Sequence, residues 1–180
     1  DVVRVDARDG EGRHPFVVGE LRHGRHRRPD VAQPCVDGPT LRMSLAELGP
    51  DIATAAEALD ADTVELRRAI HHDPELGLQL PETQKKITEA LTGLGLDITL
   101  GESTTSVVAD LDSGKPGPPV LLRGDMDALP LQEDYPSDFK SKHDGRMHAC
   151  GHDTHVAMLV SAAKLLADSK DSFTGKIRFM

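Results

Sequence analysis

The apolar residues of this chain change period along its length, and the order of those changes restricts the fold more than any single motif does. In "DADTVELRRAIHHDPELG" the spacing predicts a helix, with Asp62 as cap, Glu65 three residues on as in a capping box, and Pro74 beyond the end. "PETQKKITEALTGLG" predicts a second helix. Pro81 suits its first turn, Ile87, Leu91 and Leu94 share a face, and Gly95 is placed to end it. The period then shortens. "TSVVADLD" and "PVLLRGDMD" read as short strands on either side of the turn-rich "SGKPGPP". A further helix is expected over roughly Thr154 to Ala167, burying Val156, Leu159, Val160, Ala163 and Leu166, and "GKIRFM" opens another strand. Helices, then strands, then helix and strand again specify an α/β fold with a mixed, partly parallel sheet flanked by helices. A last strand with no helix to cover it implies a domain that is cut short, with an exposed sheet as a hazard.

The composition changes near Met43. Residues 1–42 hold eight arginines and no lysine against seven acidic residues, and Gly, Pro and His break any period in "GELRHGRHRRPDVAQPCVDGP". Such a tract cannot bury a core, so residues 1–42 are expected to be a disordered leader or upstream sequence read through in frame. Residues 43–180 are then the folded part. The arginine tract alone would suit nucleic acid, but the whole chain carries −9, which argues against a polyanion or an anionic membrane as partner. No apolar run approaches the roughly 18 residues of a membrane span, and the first residues lack the apolar core of a secretory signal. Two cysteines, Cys35 and Cys150, in such different surroundings are expected to be free thiols in a cytoplasmic protein.

Chemistry gathers in two places. "LLRGDMDALP" sets Asp125 and Asp127 just where a buried strand runs out, the position at which open α/β sheets collect ligands and catalytic groups. Taken alone, a D-x-D is more often a hydrated strand end. "MHACGHDTH" packs His148, Cys150, His152, Asp153 and His155 into nine residues. Singly, a cysteine is more often a buried inert thiol and a histidine a packing or surface residue. Together they suggest more. Gly151 lets the backbone turn so that Cys150 and His152 face one space, and the helix that follows favours a thiolate at its N-terminus. Thiolate and imidazole suit Zn²⁺, while imidazole and carboxylate suit Mn²⁺ or Co²⁺, with Asp127 placed to orient a ligand or a bound water. The same residues also fit a nucleophilic cysteine with a neighbouring histidine. A redox pair lacks its second cysteine, and a zinc deaminase site lacks its downstream P-C-x-x-C.

"LRRAIHHDPELG", "LLRGDMDALPLQE" and "GRMHACGHDTHVAMLVSAAKLLA", in this order and spacing, closely resemble the binuclear-metal amidohydrolase and peptidase family that includes hippurate hydrolase, N-acyl-amino-acid amidohydrolases and auxin-conjugate hydrolases. The resemblance runs from about Thr63 to Met180. It implies a metallopeptidase-like catalytic domain, here ending before a smaller lid domain that often mediates homodimerisation. It implies two divalent ions per complete site (Mn, Zn or Co), with Cys150 and His152 as metal ligands and Asp127 as the supporting aspartate. Asp125, His148, Asp153 and His155 become candidates for supporting or substrate contacts. Relatives often carry His where this chain has Asp73, a position that supports the first helix. The implied reaction is hydrolysis of the amide bond of small N-acyl amino acids. The general-base glutamate, in a Glu-Glu pair after the strand that begins at Lys176, is absent from this sequence. The alternatives are therefore an inactive fragment or weak metal-binding module and, further off, a cysteine-nucleophile hydrolase.

Overall fold

The computed structural model describes residues 52–180, so the expected leader over 1–42 lies outside the described residues. Helices α1 (Ile52–Ala58), α2 (Asp60–His72) and α3 (Pro81–Leu91) precede β1 (Asp97–Leu100), β2 (Val107–Asp112) and β3 (Val120–Leu122). Helix α4 (His152–Asp168), a 3-10 turn at Lys170–Ser172 and β4 (Lys176–Phe179) complete the order. The strands form one sheet in the order β1-β2-β4-β3. β1 and β2 are antiparallel, as are β2 and β4, whereas β3 and β4 are parallel. The fold is thus α/β with a mixed sheet, and α4 is the crossover between its parallel strands. The final strand is not an edge, because β4 lies between β2 and β3.

Alternation decides which face of the sheet meets the helices. Val107, Ala109 and Leu111 of β2 and Ile177 and Phe179 of β4 point inward, into one core with Ile70, Ile87, Leu91, Val156 and Val160 from α2, α3 and α4. On the opposite face the register sets Asp110 against Arg178 and Asp112 against Lys176. Both pairs close as ion pairs, at 2.6 and 2.8 Å, and each partner moves the other toward its charged form. Leu121 lies in the same register row and is exposed. The cross-strand charges keep this face wet among the described residues.

Local structure departs from the sequence-based expectations at several points. Asp62 does not cap a helix: α1 runs into α2 with only Leu59 between them, held in helical geometry, so no fresh N-terminus opens at residue 62. Asp62 instead reaches Lys164 of α4 at 3.4 Å. Helix α3 ends at Leu91, earlier than Gly95 suggested, because Gly93 already takes a left-handed φ of 83°. β1 was not expected from the sequence, since "DITL" is short and mostly exposed. The anticipated helix over 154–167 forms as α4 and starts two residues earlier, at His152.

A buried polar network joins α2, the long segment after β3, and the first turn of α4. Asp153 is wholly buried, and one of its oxygens, Oδ2, accepts from Arg67 Nε and from His71 Nδ1, both at 2.7 Å. His71 Nε2 lies 3.2 Å from Glu133 Oε1, and Glu133 Oε2 accepts the Ser141 N–H at 2.8 Å. His71 thus lies between two buried carboxylates, one at each ring nitrogen, with the Arg67 guanidinium beside them. Phe139 closes the network, its ring 4.8 Å from the Arg67 guanidinium and edge-on to His71 at 5.5 Å.

Leu111→Ala, at a fully buried position, is expected to cost about 2–5 kcal/mol in chemical denaturation, and Leu78→Ala, at an exposed one, less than about 0.5 kcal/mol. Equal costs would contradict the described core. A second expectation concerns acid. Burial alone would raise the Glu133 carboxyl, but the Ser141 N–H and His71 outweigh it and hold it below the ordinary carboxylate value. A depressed folded value means that the stabilisation is present above the unfolded value of about 4.3 and is lost as pH falls through the folded one. Glu133→Gln should therefore be less stable than the parent at pH 7, by about 1–3 kcal/mol, with the gap closing in strong acid. A gap independent of pH would show that Glu133 is not held ionised.

Candidate metal centre

Three segments far apart in sequence are joined by single backbone bridges. Leu76 pairs with Ala128 in parallel fashion and Leu129 with Met147 in antiparallel fashion. The Ala128 N–H is donated to the Glu75 carbonyl at 2.8 Å, and Leu129 and Met147 exchange N–H···O bonds of 2.9 and 3.0 Å. The Glu75 side chain turns the other way. Its carboxylate accepts the Thr83 N–H and Thr83 hydroxyl at 2.7 and 2.8 Å, anchoring the start of α3 from outside the helix. This explains the "DPELG" turn: one residue fixes both the second helix and the path of the chain through Asp127. Asp73, at the end of α2, faces the surface and lies 3.5 Å from both Lys86 and His143.

The path beyond β3 brings Asp125 and Asp127 to the first turn of α4. His152 Nδ1 lies 2.8 Å from the Asp127 carbonyl and 3.0 Å from Asp127 Oδ1. Both partners only accept, so Nδ1 carries the proton and Nε2 presents its lone pair. Nε2 is 3.7 Å from Asp125 Oδ2, too long for a direct hydrogen bond, and Asp125 is paired with Arg123 at 2.6 Å. Asp125 is thus held by a cation of its own.

Gly151 is the N-cap of α4 with φ 76° and ψ 21°. A Cβ there would meet nothing within 4 Å, so the left-handed backbone, and not crowding, is what calls for glycine. The turn leaves Cys150 as an exposed, free thiol. His155, one turn into the helix, stacks obliquely near His152 with ring centroids 5.6 Å apart.

Of the seven residues singled out in the sequence, Asp125, Asp127 and His152 come together, with Cys150 two residues from His152 on the solvent side of the turn. His148 and Asp153 face inward. His148 is 3% exposed and neither ring nitrogen has a partner. Burial above all, helped by His71 and His152 and opposed by Asp153, pushes its pKa down to about 4, so the ring is neutral. Two buried residues are open to a supporting part, not to meeting substrate from solvent. Arg67, His71 and Glu133 were missed by the sequence reading. Only the pairing of arginine and histidine one turn apart on one helix, in "ELRRAIHH", could have drawn notice to Arg67 and His71, and no local signal marks Glu133.

The donor set can be tested against the implied metal. A thiol and an imidazole nitrogen whose other nitrogen is fixed by a carboxylate and a carbonyl make the kind of partial shell that holds zinc or a similar ion. Among the described residues, however, no group of three His, Cys, Asp or Glu converges as a metal site. The fit is to part of a shell. The nucleophile alternative has no contact of its own: among the described residues no hydrogen bond joins the Cys150 thiol to a histidine, and His148, with both ring nitrogens buried and unbonded, does not engage it.

Comparison with known proteins bears on the fold and the family. Residues 121–180 match the model of peptidase family M20/M25/M40. The chain is 48% identical over 118 residues to thermostable carboxypeptidase 2 of Saccharolobus solfataricus, an overlap of 65% of this chain and 30% of that one. It is 41% identical over 131 residues to an N-acyl-L-amino acid amidohydrolase of Geobacillus stearothermophilus, covering 72% of this chain and 35% of the relative. Among solved structures, the YXEP protein of Bacillus subtilis, described as a dinuclear metal binding peptidase from the M20 family, superposes with a TM-score of 0.65 at 39% identity. That overlap covers 68% of this chain and 35% of the YXEP chain. The chain spans about a third of the length of the curated relatives it matches. In the order of its motifs and in the fold that carries them, the chain is similar to members of peptidase family M20/M25/M40, whose model its residues 121–180 match.

Proposed function

We propose that the protein is a metal-dependent amidohydrolase acting on small N-acyl amino acids, and that this chain supplies Cys150 and His152 to a two-ion site. The observation that carries the proposal is the double commitment of His152 Nδ1 to Asp127, which aims Nε2 outward as a ligand. Asp127 orients the imidazole and fixes its tautomer. Cys150 contributes a thiolate next to it, and Asp125, neutralised by Arg123, adds a second carboxylate at the rim. When bound, divalent ions such as Mn²⁺, Zn²⁺ or Co²⁺ supply Lewis-acid polarisation of an amide carbonyl and acidify a water. The relatives' names, among them an N-acyl-L-amino acid amidohydrolase and an N-acetyl-L-cysteine deacetylase, support amide cleavage of acylated amino acids.

The proton-transfer base and the other metal ligands belong, in this proposal, to sequence that the longer relatives have in addition. Glu75 and Glu133, the glutamates nearest the motifs, are committed to α3 and to His71. A net charge of −9 supports a small substrate and not a nucleic acid or an anionic membrane. Among the described residues no helix is long and apolar enough to cross a membrane. An exposed free thiol at Cys150 supports a cytoplasmic setting. A homodimer formed through a lid domain is part of the same proposal and rests on the family resemblance. A second reading, a chain that binds one ion weakly without turnover, is favoured by the lack of a third converging donor among the described residues.

The full-length protein should hydrolyse hippurate or N-acetyl amino acids, lose that activity to a chelator, and regain it with Mn²⁺, Co²⁺ or Zn²⁺. Full activity after exhaustive chelation would sink the metal reading, and metal binding without hydrolysis would favour the second reading. Asp127→Ala should weaken metal affinity roughly 10- to 100-fold in an equilibrium titration. An unchanged affinity would mean that Asp127 does not orient His152.

A further inference from the structure

We propose that Arg67, His71 and Glu133 are positioning residues for the candidate metal pair: they clamp Asp153 and so fix the Cys150–Gly151–His152 turn against Asp127. The inference rests on the proposed metal role of Cys150 and His152 and deepens it.

Asp153 follows His152 directly, in the first turn of α4. The two side chains are held from different sides, His152 by Asp127 beyond β3 and Asp153 by α2. All of the hydrogen bonding of Asp153 passes through Oδ2, which takes Arg67 and His71 at 2.7 Å each, while Oδ1 has no partner. One oxygen held by two donors is a pivot. If the helix start rotated or slid, the Oδ2 contacts and the His152–Asp127 contact would have to break together. The turn itself resists little, because Gly151 has open space around it and Cys150 is exposed. Backbone bonds tie the turn, the Gly151 N–H donating to the His148 carbonyl at 3.1 Å, but they leave the rotation of the helix start open, and the buried clamp next door sets it. Glu133 completes the clamp from the far side of His71 and is tied to the Ser141 backbone, so the segment after β3 braces the ring as well. Phe139 keeps water from the charges and so strengthens them.

A network that only stabilised the packing of α2 on α4 would affect melting and leave metal coordination alone, which gives the test. The full-length protein is titrated with Co²⁺, following the near-ultraviolet thiolate-to-cobalt band, and amide exchange is measured at Thr154 and His155, whose N–H groups bond the Gly151 carbonyl. Asp153→Asn should lower Co²⁺ affinity roughly 10- to 100-fold, weaken the band and speed exchange at both amides. Glu133→Gln is isosteric and one residue further from the pair. It should produce the same changes at smaller size, and it carries the test alone if Asp153→Asn fails to fold. A folded Glu133→Gln variant with lower Tm but parental affinity, band and exchange would overturn the inference while leaving the metal site standing. A parent protein with no such band, or a band that survives Cys150→Ala, would overturn the metal assignment itself and this inference with it.

Discussion

The His152 Nδ1–H is donated to Asp127, and this bond joins the end of the β3 path to the start of α4. A histidine without it could present either nitrogen, in either orientation, and a ligand that must choose among orientations binds weakly. With the carbonyl and the carboxylate of one residue both accepting at Nδ1, Nε2 is left as the available lone pair. The rest of the described structure can be understood as what makes this contact possible. The parallel pairing of β3 with β4 puts the aspartates at a strand end, and the crossover helix returns its N-terminus to the same end.

Bringing the two together takes more than the sheet. The stretch between β3 and α4 has no helix or strand of its own, and one backbone bridge to Leu76 and one to Met147 set its path beside the motifs. Glu75 shows how few residues do this. Its carbonyl takes the Ala128 N–H and its carboxylate holds the first turn of α3, so the "PELG" turn aligns a helix and the aspartate path at once. Beneath the turn that bears Cys150, charge is concentrated where a small protein can least tolerate it unpaired. Four ionisable groups from three segments compensate one another there, at a place where apolar packing would have been simpler.

Much of this was legible beforehand. The α/β class, the helices carrying Ile87 and Val156, the strands carrying Val107 and Leu122, and the left-handed need at Gly151 all followed from local spacing and backbone preference. What was hidden depended on partners. Asp62 looked like a cap until α1 proved continuous with α2, and Gly95 lost the helix end to Gly93, which reaches a positive φ first. β1 has little apolar alternation because it sits at an edge. The position of β4 inside the sheet could not be read, since strand order is a long-range property. At the site, Asp125 and Asp127 were expected at a strand end and Asp127 beside the metal-capable pair, while the place of Asp125 near His152 was implied by the family resemblance. The roles of His71 and Glu133 were not, because a buried charge network is defined by residues 62 and 82 positions apart and leaves no local pattern.

The most direct measurement is X-ray absorption at the metal edge of the full-length protein loaded with zinc. The account predicts a shell that includes one sulfur at about 2.3 Å and imidazole nitrogen at about 2.0–2.1 Å, with the sulfur lost in Cys150→Ala. A shell of oxygen and nitrogen alone in the unmodified protein, unchanged by that substitution, would contradict it.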